Sequence, residues 1–179
     1  MYLQKSSAGE RPLPLKRAQL WKMKAAKWIR NPLIGWLMGQ AVRLAVPRQR
    51  VGVALIALNE VNEVFMLRHV FHPHFEWGLP GGWLKKNEAP QAGVLRELRE
   101  ETGLTAVLGR AVSISHSLHP PHIGIAYVGQ LNTGKVHLSH EIIEARWFAL
   151  DNLPVPLSPH TQQAIHAAVQ EHLGEQSAT

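Results

Sequence analysis

GWLKKNEAPQAGVLRELREETGL, running from Gly82 to Leu104, holds most of what can be read about architecture and chemistry in this chain. From Glu88 to Thr102 it patterns as a helix. Pro90 is tolerated in a first turn, Glu88 suits the positive end of the helix dipole, and Gly103 is placed to end the helix in a left-handed conformation. Glu97, Glu100 and Glu101 stand at i, i+3 and i+4, so their side chains share an arc of about 100°. Like charges at that spacing repel by roughly 0.2–0.5 kcal/mol per pair, and something has to offset them. A hard divalent cation, Mg²⁺ or Mn²⁺, would do so, because it prefers carboxylate and water oxygens. A plain solvated acidic helix laced with i, i+4 pairs is the other reading of these residues alone. Gly93 falls on the same face one turn earlier and leaves space there for a ligand. Val94, Leu95 and Leu98 form the neighbouring apolar face that would anchor the helix on a sheet, and Arg96 lies beside the acidic arc, where it could orient a carboxylate.

Outward from the helix, both flanks read as strands. Val51–Leu58 is an aliphatic run ending at Asn59-Glu60, and Glu63–Val70 follows, which together suggest a hairpin. A loop with His72, His74, Gly78, Pro80, Gly81 and Gly82 leads into the helix. After it, Thr105–Ser115, Ile123–Leu131 and Ala145–Leu150 pattern as strands, and Pro159–Leu173 as a closing helix. There is no internal repeat and no low-complexity tract. The order is mixed α/β.

The 179 residues fit one ordinary domain with a small appendage, and 45% hydrophobic content is enough for a packed core. Zero cysteines exclude a disulfide framework, a cysteine zinc site and a thiolate nucleophile, and fit a reducing compartment. Charge is unevenly placed. Residues 1–50 carry eleven Lys/Arg against the single acid Glu10, whereas residues 51–179 carry eight against twelve, so a segment of net +10 precedes a body of net −4. We expect three parts: a basic, partly helical extension over 1–50, a catalytic domain over 51–173, and a flexible tail over 174–179.

Within the extension, Ala18, Trp21, Ala25, Trp28 and Ile29 share one helical stripe between Lys16 and Arg30, and a second apolar segment runs from Leu33 to Val46. Three partners suit it: the body or a second copy in a homodimer, an anionic membrane surface touched through residues 16–46, or RNA phosphates. A secretory leader pattern is absent and no apolar run reaches the ~20 residues of a membrane span. The expected location is cytoplasmic, with peripheral membrane contact left open.

Gly82, Glu88, Arg96, Glu97, Leu98, Glu100, Glu101, Gly103 and Leu104 match, position by position, the box of the Nudix hydrolase family: Gly, five residues, Glu, seven residues, Arg-Glu-aliphatic-x-Glu-Glu-x-Gly-aliphatic. At average residue frequencies a chance match has odds on the order of 10⁻⁸ to 10⁻⁷. Trp77–Gly81 also resembles the family's entry to the box, and the resemblance covers residues 51–173. It implies an α/β/α sandwich with a mixed sheet that hydrolyses a nucleoside diphosphate linked to another moiety. By that similarity Glu97, Glu100 and Glu101 bind Mg²⁺, with Mn²⁺ as substitute and the Gly81 carbonyl as a further ligand. Gly82, Glu88, Arg96 and Gly103 hold the loop–helix shape. The metal would neutralise the diphosphate oxygens and acidify an attacking water.

The resemblance also implies a general base drawn from the box or from a later loop. Glu100, Glu141 and Glu144 are the candidates, and Glu141 is favoured because His140–Phe148 resembles the stretch that supplies a loop glutamate. Pro120, sixteen residues after Leu104, nearly matches a proline common in members that cleave ADP-ribose, and Phe71, Trp77 and Tyr127 could stack a base. The tyrosine associated with dinucleoside polyphosphate cleavage and the extended signature of coenzyme A cleaving members are absent. An RNA 5′-end pyrophosphohydrolase and a non-catalytic nucleotide sensor are the alternatives. His69, His72 and His74, then His116, His119 and His122, lack a zinc spacing and are read as structural or solvated.

Overall fold

The computed structural model describes residues 31–46, 48–72, 74–118 and 120–176, the last six by their backbone only. The helical pattern expected over Lys16–Arg30, His119 and the end of the tail lie outside these residues. The chain divides into two units, Met1–Arg48 and Gln49–Thr179.

In the first unit, α1 spans Pro32–Ala45. Pro32 occupies the first turn, where its missing N–H costs nothing, and the Asn31 side chain caps the helix by accepting from the Leu33 amide at 3.0 Å. The helix closes with the Val46 amide donating to the Val42 carbonyl.

The second unit begins with β1 (Arg50–Ala57), β2 (Glu63–His69), β3 (Trp77–Gly78) and β4 (Gly81–Trp83). Then come α2 (Pro90–Thr102), β5 (Ala106–Leu118), β6 (Pro121–Leu131), β7 (Ile142–Ala149) and α3 (Pro159–Gln176). They form two sheets. The four-stranded one runs β4-β1-β6-β5 and is mixed, because β1 lies parallel to β6 with Leu55 opposite Tyr127. The three-stranded one, β3-β2-β7, is antiparallel.

The expected hairpin of β1 and β2 does not form. A turn is present, since the Asn59 side chain accepts from the amides of Val61 and Glu63. The two strands keep only a Leu58–Val64 bridge and then enter different sheets. The reason lies in their burial. Leu55–Ala57 and Val64–Leu67 are buried nearly residue by residue, so each strand needs cover on both faces rather than one wet face.

Alternation along these strands divides the core in two. Leu55 and Ala57 of β1 and Phe65 and Leu67 of β2 pack with Val94 and Leu98 of α2. Ile56, Val64 and Met66, one residue out of phase, pack with Ala164, Ile165 and Ala168 of α3. The strands therefore lie between α2 and α3 as an α/β/α sandwich. Val94 and Leu98 are wholly buried, which contributes about 1.5–3 kcal/mol each and fixes which way α2 turns its acidic face.

Candidate active site

The loop before α2 approaches its neighbours too closely for side chains. β4 pairs with β1 so that Gly81 lies opposite Ala54, and a Cβ on Gly81 would stand 2.1 Å from the Val53 carbonyl oxygen. A Cβ on Gly82 would stand 2.6 Å from Cδ of Glu97. At the far end of α2, Gly103 takes φ 72° and donates to the Arg99 carbonyl, a left-handed cap that glycine adopts without strain.

Arg96 organises the acidic face. Its Nε and Nη2 donate to the two oxygens of Glu88 at 2.7 and 2.9 Å, a bidentate pair. Its Nη1 donates to Glu97 at 2.7 Å and to Glu100 at 3.0 Å, and Nη2 also donates to the Trp83 carbonyl. The Glu88 carboxylate accepts the Lys85 amide as well. The Arg96 guanidinium, then that amide, hold its carboxyl at about 2. Glu88 and Arg96 thus tie the loop to the helix. Glu100 is half-exposed and reaches Lys85 at 3.1 Å, with Lys85 first and Arg96 next keeping its pKa below the ordinary carboxylate value.

Glu101 is different. It is only 7% exposed, and Oε2 accepts the Gly81 amide at 3.0 Å. Burial pushes its carboxyl up to about 8; the Gly81 amide restrains the rise, and the charges of Glu97, Glu141 and Glu100 add to it. His69 Nδ1 lies 4.0 Å from the other oxygen, but burial and then His72 push that imidazole down to about 4. Near neutral pH the contact joins a neutral acid to a neutral imidazole, not an ion pair.

Charge and space show whether a divalent cation suits these side chains. Glu97 and Glu101 flank the side-chain-free Gly81–Gly82 backbone, and Glu141 repels Glu101 from the segment before β7. The donors are hard carboxylate oxygens, the type that Mg²⁺ prefers. Among the described residues, no three His, Asp or Glu side chains are gathered as a ready-made metal shell. Glu97 and Glu100 instead face Arg96, and Glu100 would have to leave Lys85 to join Glu101. The donor chemistry is that of a hard divalent cation.

Two sequence expectations are corrected here. The space beside Gly93 is filled by protein, since a Cβ there would meet Leu84 Cδ2 at 2.2 Å, so it admits no ligand. Tyr127 is buried among Leu55, Leu98 and Leu104 in the core and is not part of the cavity wall. Phe71 and Trp77 do line a cavity of about 840 Å³ that begins at Gly81 and Gly82. Trp77 also stands edge-on to Phe148, 4.7 Å between centroids, so packing fixes its plane.

Among the described residues the cavity wall contains six histidines, His69, His72, His74, His116, His122 and His160, and no Asp, Glu, Lys or Arg. His160 had no signal in the sequence, because only the fold brings the start of α3 to His122, with ring centroids 5.5 Å apart. Burial, then His122, lowers its pKa. A larger open groove of about 1200 Å³, past Asn59, Arg110 and Trp147, includes no residue between Gly78 and Gly103.

Glu101 and His69 give the protein a distinctive pH dependence. A raised carboxyl value means that the fold holds a proton the unfolded chain has lost. That stabilisation is complete below pH 4.5 and disappears as pH rises through about 8. The lowered His69 acts oppositely, its contribution present above pH 6.5 and lost as pH falls through about 4. Above pH 6.5 only the Glu101 effect remains. In EDTA, Tm is expected to fall by about 5 °C between pH 6.5 and 8, and millimolar Mg²⁺ to flatten that slope, as read by calorimetry.

The NUDIX domain family profile matches residues 48–169. An NAD-capped RNA hydrolase NudC from Salmonella heidelberg (strain SL476) is 25% identical over 108 residues, which are 60% of this chain. The chain spans only 42% of that relative's length. Among solved structures, a MutT NUDIX hydrolase from Burkholderia pseudomallei is 25% identical with TM-score 0.58, covering 68% of this chain and 98% of its own. An ADP-ribose pyrophosphatase from Streptococcus suis has the same fold at 22% identity and TM-score 0.59, covering 70% of this chain and 92% of its own.

Proposed function

Because the chain belongs to the NUDIX domain family, whose members are pyrophosphohydrolases, we propose that it hydrolyses the diphosphate linkage of a nucleoside diphosphate joined to an uncharged second moiety, such as ADP-ribose or a nucleotide sugar. The cavity wall carries this choice. It adjoins the carboxylate cluster at Gly81–Gly82, it is large enough for a base or sugar, and among the described residues it offers aromatic rings and histidines but no Lys or Arg. A triphosphate tail or an RNA backbone would set charge against that wall without a lysine or arginine to pair it. Pro120, the residue that suggested an ADP-ribose substrate, is part of the same wall.

Mg²⁺, with Mn²⁺ as substitute, is the cofactor we assign to Glu97, Glu100 and Glu101 with the Gly81 carbonyl. When bound, it supplies charge neutralisation at the diphosphate oxygens and acidifies the attacking water. Arg96 and Glu88 hold the loop and helix so that these carboxylates keep their spacing. Phe71, 68% exposed at the cavity edge, and Trp77 are the rings against which a base can lie. Glu141 is the base that removes the water's proton. It is close enough to raise the Glu101 pKa, and its recorded partner is His140 at 3.7 Å, whereas Glu144 is paired with Arg146 and Glu100 with Lys85 and Arg96.

Ion-exchange product analysis across a nucleotide panel with Mg²⁺ tests the substrate class. ADP-ribose and nucleotide sugars are expected to exceed nucleoside triphosphates and 5′-triphosphorylated RNA in kcat/KM by at least about tenfold, and Phe71→Ala to raise KM for the preferred class more than it lowers kcat. The NudC relative is the observation in favour of an RNA-end substrate. Turnover of NAD-capped or triphosphorylated RNA above every small nucleotide would replace the proposal with that one.

A further inference from the structure

Helix α1 has no buried residue, yet most of its side chains are apolar. At 100° per residue, Leu33, Ile34, Leu37, Met38, Val42 and Leu44 fall within one half of its circumference. Five of these six are exposed, Leu44 at 88%. The other half holds Gly35, Gly39, Gln40 and Arg43, with Trp36 beside Arg43 and 60% exposed. Gly39 would have open space around a Cβ, so close packing does not require a glycine there. Fourteen residues rise about 21 Å, too short to cross a hydrocarbon core of about 30 Å but long enough to lie along its surface.

We propose that α1 lies in the headgroup region of an anionic lipid surface, apolar half inward and Arg43 outward. The charge of the segment selects this occupant. Residues 1–50 carry eleven Lys/Arg and one acid, so a negative surface attracts this part of the chain and repels the body of net −4. A second copy would bring two segments of net +10 together. RNA phosphates would be drawn by the same charge but have no use for the apolar half of the helix.

Vesicle co-sedimentation of the full chain tests this. The probes are phosphatidylcholine vesicles alone, the same vesicles with about a third phosphatidylglycerol, and a single-stranded RNA oligomer as competitor. The bound fraction on anionic vesicles is expected to exceed that on neutral ones by about tenfold and to fall when salt shortens the screening length. Leu37→Glu with Val42→Glu should abolish binding while Tm and turnover stay unchanged. The proposal is overturned if the chain binds anionic vesicles no better than neutral ones, whether it is monomer or dimer, if the double variant still binds vesicles, or if RNA binds and excludes them.

Discussion

Glu101→Gln is expected to lower kcat/KM by at least about a hundredfold while nucleotide affinity changes by no more than severalfold. Losing a partner that merely orients a metal ligand costs 10–100-fold, so losing the ligand itself should cost at least as much. Glu101 has the least freedom of the acidic cluster, because the Gly81 amide fixes one oxygen and packing excludes water from most of the rest. The same substitution should not destabilise the protein in EDTA. It removes the group whose ionised form is penalised by burial and by Glu97, Glu141 and Glu100, so the fall in Tm between pH 6.5 and 8 should vanish with the activity. Stability kept or gained while turnover collapses separates a metal ligand from a folding defect. If turnover stays within about threefold of wild type, less than ~1 kcal/mol, the assignment is wrong.

Glu141→Gln is expected to lower kcat by about 10²–10⁴-fold with KM little changed, the range for removing a positioned general base. The comparison with Glu144→Gln and Glu100→Gln makes this decisive. Glu144 is held by Arg146, and its loss should cost little turnover. Glu100 is assigned to the metal, and its loss should raise the Mg²⁺ concentration needed for half-maximal rate. Should Glu100→Gln remove the acidic limb of the pH–rate profile while Glu141→Gln leaves it intact, the base lies inside the helix instead.

The parts readable from the sequence were those fixed by local pattern. Helix α2, its left-handed Gly103 and the arc of Glu97, Glu100 and Glu101 all follow from spacing within one short segment. Strand positions followed from apolar runs, but β1 finds its partner β6 some seventy residues later, and no turn signal at Asn59 carries that information. The site divides along the same line. The Glu88–Arg96 pair is eight residues apart and was anticipated from the box, whereas His69 beside Glu101 and His160 beside His122 meet only through the two sheets and α3. Tyr127 illustrates the reverse error, an aromatic residue at a plausible chain position that alternation along β6 turns into the core. Gly93 reads as space for a ligand because Leu84, nine residues before it, gives no sign in the sequence of folding back onto the helix.

The most direct experiment follows metal occupancy and turnover in one sample. EDTA-stripped enzyme is titrated with Mn²⁺, free ion being read by electron paramagnetic resonance while products are quantified from the best substrate of the panel. Turnover is expected to be undetectable after stripping and to rise in proportion to bound Mn²⁺, with both binding and turnover lost in Glu97→Gln and Glu101→Gln. Full turnover in the stripped enzyme, or Mn²⁺ bound as tightly by Glu101→Gln as by wild type, would contradict a hydrolase built on this carboxylate cluster.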